Sequence, residues 1–269
     1  MPMSTHKTTE TSPRIAYDDA GAGEPALLLL PGWCGPRTMF RPALPKHARH
    51  RRVLAMDLRG QGESEAGPGT IGYPELLDDT LRVLADARIQ RVIPVAVAHA
   101  GWAAIDLRRR LGPERVPGIV LVDWMVLGAP PPFAEALQGL RDPVHWSAVR
   151  DRLFRMWTTG VALPALDALI DDMRAAPGES WRRAACEIAA RFTADPVPLE
   201  VLAAEPVACP TLHLYAQPAD PTFLAAQRDF AATHPWFSVQ KLAGTSHFPP
   251  LESPLEVAAH VERFAASLT

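Results

Sequence analysis

Little in this chain of 269 residues would tie it to a membrane, to a nucleic acid or to an oxidising compartment. It has three cysteines, Cys34, Cys186 and Cys209, too few and too odd in number for a disulfide framework, so a reducing compartment is expected. The net charge of −3 gives no electrostatic case for nucleic acid or an anionic lipid surface. No apolar run approaches the ~18–20 residues that span a bilayer. The first residues are polar and lack the apolar stretch of a signal peptide. Residues 1–13 read as a flexible tail, and the cytoplasm is the expected location. What the chain does have is apolar content, 48% against 21% charged, which is enough for a sizeable buried core and excludes general disorder.

The apolar residues fall into short runs that alternate with amphipathic stretches. Ala26–Leu30, Val53–Met56, Val92–Val97, Gly118–Val122, Thr211–Tyr215 and Ser238–Leu242 read as buried strands. Tyr73–Ala87, Gly101–Leu111 and a closing stretch from Leu255 to Ala266 read as helices. This alternation predicts an α/β fold, a mostly parallel twisted sheet with helices on both faces. From 128 to 202 no strand pattern occurs, and proline-punctuated helical patterns carry Trp146, Trp157 and Trp181. We read 128–202 as a helical cap inserted into a core of 14–127 and 203–269.

Four strand ends meet at the edge where open α/β sheets bind ligands. Val92–Val97 runs into Ala98-His99-Ala100-Gly101, a strand, a tight turn of small residues and then a helix. That is the shape of the nucleophile elbow of an α/β-hydrolase fold, usually spelled G-x-S-x-G. Ala98 occupies the nucleophile's seat, which is therefore vacant, because a methyl group cannot attack a carbonyl. The alternative register, with His99 on the seat, would flank it with Val97, a poor fit to a strained turn. Pro31-Gly32-Trp33-Cys34-Gly35 ends the first strand. The backbone N–H groups of Trp33 and His99 are the expected oxyanion donors, a role indifferent to side-chain identity. Asp57-Leu58-Arg59-Gly60-Gln61-Gly62 reads as a structural turn. Of the nine histidines only His247 lies in the loop that follows the last strand, about 20 residues before the end, the place of the base in the order nucleophile, acid, histidine. Asp220 and Asp123 are the two candidates for the acid that orients it, and position alone slightly favours Asp220.

The chain resembles the cofactor-independent 2,4-dioxygenases of 3-hydroxy-4(1H)-quinolones. The stretches that carry the likeness are Leu29-Leu30-Pro31-Gly32-Trp33-Cys34, Val122-Asp123-Trp124, Ala129-Pro130, Asp142-Pro143 with Trp146, Leu153-Phe154 with Trp157, His234-Pro235-Trp236-Phe237-Ser238 and His247-Phe248-Pro249. They run from Leu29 to the C-terminal segment and include the cap. The resemblance implies that Asp123, not Asp220, pairs with His247. It implies that this dyad removes the substrate's 3-hydroxyl proton, with no metal and no cofactor, and that the organic anion itself reacts with dioxygen as co-substrate. The expected products are carbon monoxide and an N-acylanthranilate. The expected partners are a small aromatic heterocycle, an alkylquinolone, and dioxygen, with no nucleic acid and no membrane.

The expected substrate pocket takes Gly32, Cys34 and Gly35 from the first loop and Val97 from the elbow. It takes Trp124 and Met125 from the segment after Asp123, and Phe133, Leu153, Trp157 and Trp181 from the cap. Phe248 completes it beside the base. The resemblance sets serine at the seat in family members and histidines at the positions of Gly35 and Val97 in the family's type enzyme, so this pocket is expected to be less polar and roomier, suited to a longer 2-alkyl chain. Two rival readings are a hydrolase that uses Cys34 or Ser246 as nucleophile and a non-catalytic ligand-binding protein.

Overall fold

The computed structural model describes residues 4–67 and 72–268. Eight strands form one sheet: β1 Thr5–Thr8, β2 Ala16–Ala20, β3 Ala26–Leu30, β4 Val53–Met56, β5 Val92–Val97, β6 Ile119–Val122, β7 Thr211–Tyr215 and β8 Phe237–Lys241. Their spatial order is β1-β2-β4-β3-β5-β6-β7-β8. β1 and β2 run antiparallel, and every pairing from β4 to β8 is parallel. β3, β5 and β6 are buried along their whole length, as the uninterrupted Val, Ile and Leu runs require of strands covered on both faces. The helices Tyr73–Asp86, Gly101–Arg115 and Pro254–Ala266 flank the sheet. The second of these breaks at Gly112, whose φ of +78° no helix accommodates.

One expectation is corrected here, and one strand is added. The flexible tail is in part a strand: Thr5–Thr8 pairs with β2 in register Thr5↔Asp19 to Thr8↔Ala16, while residues 1–3 lie outside the described residues. The outer side of β2 has N–H and C=O groups to pair, and Lys7 reaches buried Asp19 at 2.7 Å. β2 itself is absent from the sequence reading, because Asp18 and Asp19 break its apolar pattern. Both are buried, and their charges are met by Arg37 at 3.2 Å and by Arg52 at 2.8 Å.

Between β6 and β7 lie five helices, Pro131–Arg141, Trp146–Trp157, Pro164–Ala175, Gly178–Ala194 and Pro198–Ala203. They cover the carboxyl ends of the parallel strands. The Asp57 turn is structural, as read. Its fully buried carboxylate accepts from the N–H groups of Arg37 at 2.6 Å and Glu63 at 2.9 Å, and from the Arg37 guanidinium. A Cβ at Gly62 would sit 2.4 Å from that carboxylate, which accounts for the glycine.

Candidate active site

The elbow follows from the junction of β5 with its helix. Val97 is still extended, at φ −88° and ψ 132°, and Ala98 then turns to φ +50°, the left-handed region. Among the described residues, three of the four non-glycine residues with positive φ, Cys34, Ala98 and Asp123, stand at strand ends in this region. Such backbone costs energy and persists where the surroundings over-determine it. At Gly101, behind the elbow, a Cβ would lie 2.3 Å from the Trp124 ring, so the helix and the segment after β6 can approach only there.

His247 and Asp123 meet across the ends of β6 and β8. The Asp123 carboxylate is fully buried, and its Oδ2 lies 2.7 Å from His247 Nδ1. Its other oxygen accepts the N–H groups of Ala216 at 2.6 Å and Gln217 at 2.9 Å. A carboxylate so placed accepts only, so in the neutral imidazole the proton sits on His247 Nδ1 and the lone pair on Nε2. The His247 backbone N–H donates to Trp157 O at 2.8 Å, and the two rings stack at 5.0 Å. The Glu252 carboxylate takes the N–H groups of Thr245 and Ser246, at 2.9 Å and 2.7 Å, and fixes the loop before His247. Asp220 is not part of this pair. It is exposed and caps the helix Pro221–Thr233 by accepting from Thr222 N–H at 2.9 Å.

These groups face a cavity of about 1250 Å³ between sheet and cap helices. Its wall includes Gly32, Trp33, Gly35, Val97, Ala98, His99, Asp123, Trp124, Met125, Phe133, Leu153, Trp157, His247 and Phe248. Two expected lining residues are not in that wall. Cys34 is buried, and the same burial raises its thiol pKa well above the ordinary value. Trp181 is fully buried behind Trp33, ring to ring at 5.1 Å, with its indole N–H on Met173 O at 3.2 Å. It supports the wall rather than forming it. Ser246, the other rival nucleophile, is also fully buried and accepts from Phe248 N–H at 3.2 Å. His99 stands edge-on to Trp33 at 6.0 Å, and desolvation, with a smaller contribution from His247, pushes its pKa down to about 3.

Sequence reasoning passed over several residues of the site. Met173, Ile188 and Phe192 line the cavity. The spacing of Trp181, Ala185, Ile188 and Phe192 along one helix face is the signal that could have found the last two. Gln217 ties three segments together, its amide donating to Thr245 O at 2.7 Å, Met156 O at 3.3 Å and Trp157 O at 3.5 Å. Nothing local announces that role. His213, fully buried, accepts Trp124 N–H on Nε2 at 3.3 Å and faces Gln227 Oε1 through Nδ1 at 2.5 Å. Among the described residues no group of three or more His, Cys, Asp or Glu side chains could hold a metal ion. Nor is any helix of these residues long and apolar enough to cross a membrane.

Sheet order, elbow and His–Asp pair together define an α/β-hydrolase fold, and residues 27–260 match the alpha/beta hydrolase family, to which the chain belongs. The chain is 33% identical over 262 residues to the 2-heptyl-3-hydroxy-4(1H)-quinolone dioxygenase of Mycobacteroides abscessus, covering 96% of each. It is 32% identical over 253 residues to the 1H-3-hydroxy-4-oxoquinoline 2,4-dioxygenase of Pseudomonas putida, covering 93% of this chain and 95% of that one. A solved structure described as recognising and ring-cleaving the Pseudomonas quinolone signal superposes with a TM-score of 0.91 at 32% identity, over 98% of this chain and 99% of that one. Within the hydrolase family, the chain therefore belongs with the 3-hydroxy-4-quinolone dioxygenases.

Proposed function

We propose that this protein cleaves the heterocyclic ring of 2-alkyl-3-hydroxy-4(1H)-quinolones with dioxygen, without a cofactor, releasing carbon monoxide and an N-acylanthranilate. The carrying observation is a His247–Asp123 dyad facing a large, mainly apolar cavity in which the nucleophile's seat is an alanine. A base with nothing to activate in the protein has the substrate's own acidic hydroxyl as its object. His247 Nε2 takes the 3-hydroxyl proton, and Asp123 orients the ring and stabilises its cationic form. The backbone N–H groups of Trp33 and His99 serve as donors for the oxygen at C4, where charge collects. The electron-rich anion supplies both electron pairs for the reaction with dioxygen. A peroxide forms at C2 and closes onto C4, the ring opens, and C3 leaves as carbon monoxide. One oxygen atom of dioxygen ends on C2 and the other on C4.

The helices of 128–202 serve as a cap that excludes water from this anion. The cavity exceeds the roughly 300–1,000 Å³ usual for small-ligand sites, and Gly35, Val97 and Ala98 add little polarity to its wall. Both features favour a 2-heptyl over a 2-methyl substituent. The test is aerobic incubation with quinolones of graded alkyl length, following carbon monoxide and the acylanthranilate. Turnover that is lost in His247→Ala and rises from methyl to heptyl is expected. No carbon monoxide from any quinolone would refute the reaction, and equal kcat/KM for methyl and heptyl would refute the chain-length reading.

A further inference from the structure

A second, much smaller cavity of about 70 Å³ lies on the far side of His99. Its buried floor is Leu58, Arg59, Tyr73, Leu76 and Ile188, with the Arg59 guanidinium held by Asp79 at 2.7 Å, and its half-buried rim includes Gly60, Gln61, Ser180, Arg183 and Glu187. His99 and Ile188 belong to the walls of both cavities. The His99 ring is flanked by Trp33 on the large-cavity side at 6.0 Å and by Tyr73 on the small-cavity side at 6.4 Å, both edge-on. Among the described residues no hydrogen bond fixes its ring nitrogens. The His99 and Ile188 side chains thus form a boundary that the large cavity shares with the smaller one.

The size of that compartment is selective. A single water occupies about 10–15 Å³ by this kind of measure, so the space holds a few diatomic molecules and no bicyclic ring. Rested on the proposed reaction, the need is plain. Once an alkylquinolone fills the large cavity, dioxygen must still reach C2 and carbon monoxide must still leave. Both gases are small, uncharged and apolar, and the Leu58, Leu76 and Ile188 side chains of the floor suit them better than they suit water. A neutral His99 suits them too, because a charged ring would hold water in the partition.

We propose that the cavity bounded by Tyr73, Leu76, Ala184 and Ile188 is a gas port, with His99 and Ile188 as the partition through which dioxygen enters and carbon monoxide leaves while the quinolone remains bound.

Ala184→Phe fills this cavity from the cap side without touching the dyad, and Ser180→Trp covers its rim from a half-exposed position that disturbs little packing. Steady-state turnover at varied dioxygen, with the quinolone saturating, gives kcat/KM for dioxygen, and anaerobic titration gives the quinolone Kd. In at least one folded variant the dioxygen constant is expected to fall by about tenfold, the effect of a modest added barrier, with the quinolone Kd unchanged. A dioxygen constant unmoved in both blocking variants would overturn the port, and dioxygen would then share the main mouth with the substrate. Absence of ring cleavage in the unmodified enzyme is a separate result, which refutes the reaction itself.

Discussion

Asp123→Asn separates orientation of the base from integrity of the fold. In the native protein Asp123 Oδ1 accepts two backbone N–H groups, from Ala216 and Gln217, and Oδ2 accepts from His247 Nδ1. Asparagine keeps one oxygen for the two backbone donors and turns its amide NH2 toward the imidazole. That NH2 can only donate, so Nδ1 must accept and the ring proton moves to Nε2. The base is then blocked at the atom that faces the substrate, with every buried polar group still paired. General-base catalysis is worth about 10²–10⁴-fold, and kcat/KM for the 2-heptyl quinolone should fall by that factor. The urea midpoint should stay close to that of the native protein. Asp123→Ala is the contrast: it orphans two buried N–H groups at about 1–3 kcal/mol each, and should lose both activity and stability. The decisive assay mixes an anaerobic enzyme–quinolone complex with dioxygen and follows acylanthranilate. An Asn variant retaining more than about a tenth of native kcat/KM would refute the tautomer reasoning, since even weak general-base catalysis exceeds that factor.

Ala98→Ser adds one hydroxyl at the seat, worth about 0.5–1.5 kcal/mol if it hydrogen-bonds the substrate. Steady-state kcat/KM should therefore change by less than about tenfold, and a change of two orders of magnitude would mean the seat takes part in the chemistry. Gly101→Ala places a methyl 2.3 Å from the Trp124 ring; overpacking of this kind costs about 1–3 kcal/mol, readable as a lower urea midpoint at unchanged m. Burial lowers the His213 pKa from 6.5 to about 4, against the opposing pull of Gln227 and Asp123. Between those values the unfolded chain binds a proton that the folded chain refuses, so stability is full above pH 6.5 and drains away as the pH falls toward 4. For a group this deeply buried the loss is on the order of 3 kcal/mol. Urea titrations of the native protein and His213→Gln across that range should show the slope reduced in the variant, and equal slopes would exclude His213 as its source.

Most of the sheet was legible because its central strands are covered on both faces and so must be apolar throughout. Ala26–Leu30, Val53–Met56, Val92–Val97 and Thr211–Tyr215 have the bounds that their apolar runs predict. β8 is offset by one residue, beginning at Phe237, because its burial is partial and its pattern correspondingly weak. β2 was illegible for a different reason. Burying Asp18 and Asp19 is tolerable only because Lys7, Arg37 and Arg52 reach them from other segments. The charges that make this strand possible are those that hide it from a reading by hydrophobicity.

The choice between Asp220 and Asp123 has the same character. Both follow strands at the right edge of the sheet, and each is chemically able to hold an imidazole. Asp220 is committed to its own helix through Thr222 N–H, a local bond of the kind that aspartate at a helix start ordinarily makes. Asp123 depends on contacts far apart in the chain: two N–H groups after β7, the base after β8, and Trp124 N–H held by His213. No window of sequence contains that arrangement. The alanine on the seat, by contrast, is a local fact, and it sets the demand on the rest of the site. On the proposed reaction, an oriented base beside a seat without a nucleophile serves to remove a proton that belongs to the substrate. The buried, fully hydrogen-bonded carboxylate behind His247 is what that task requires.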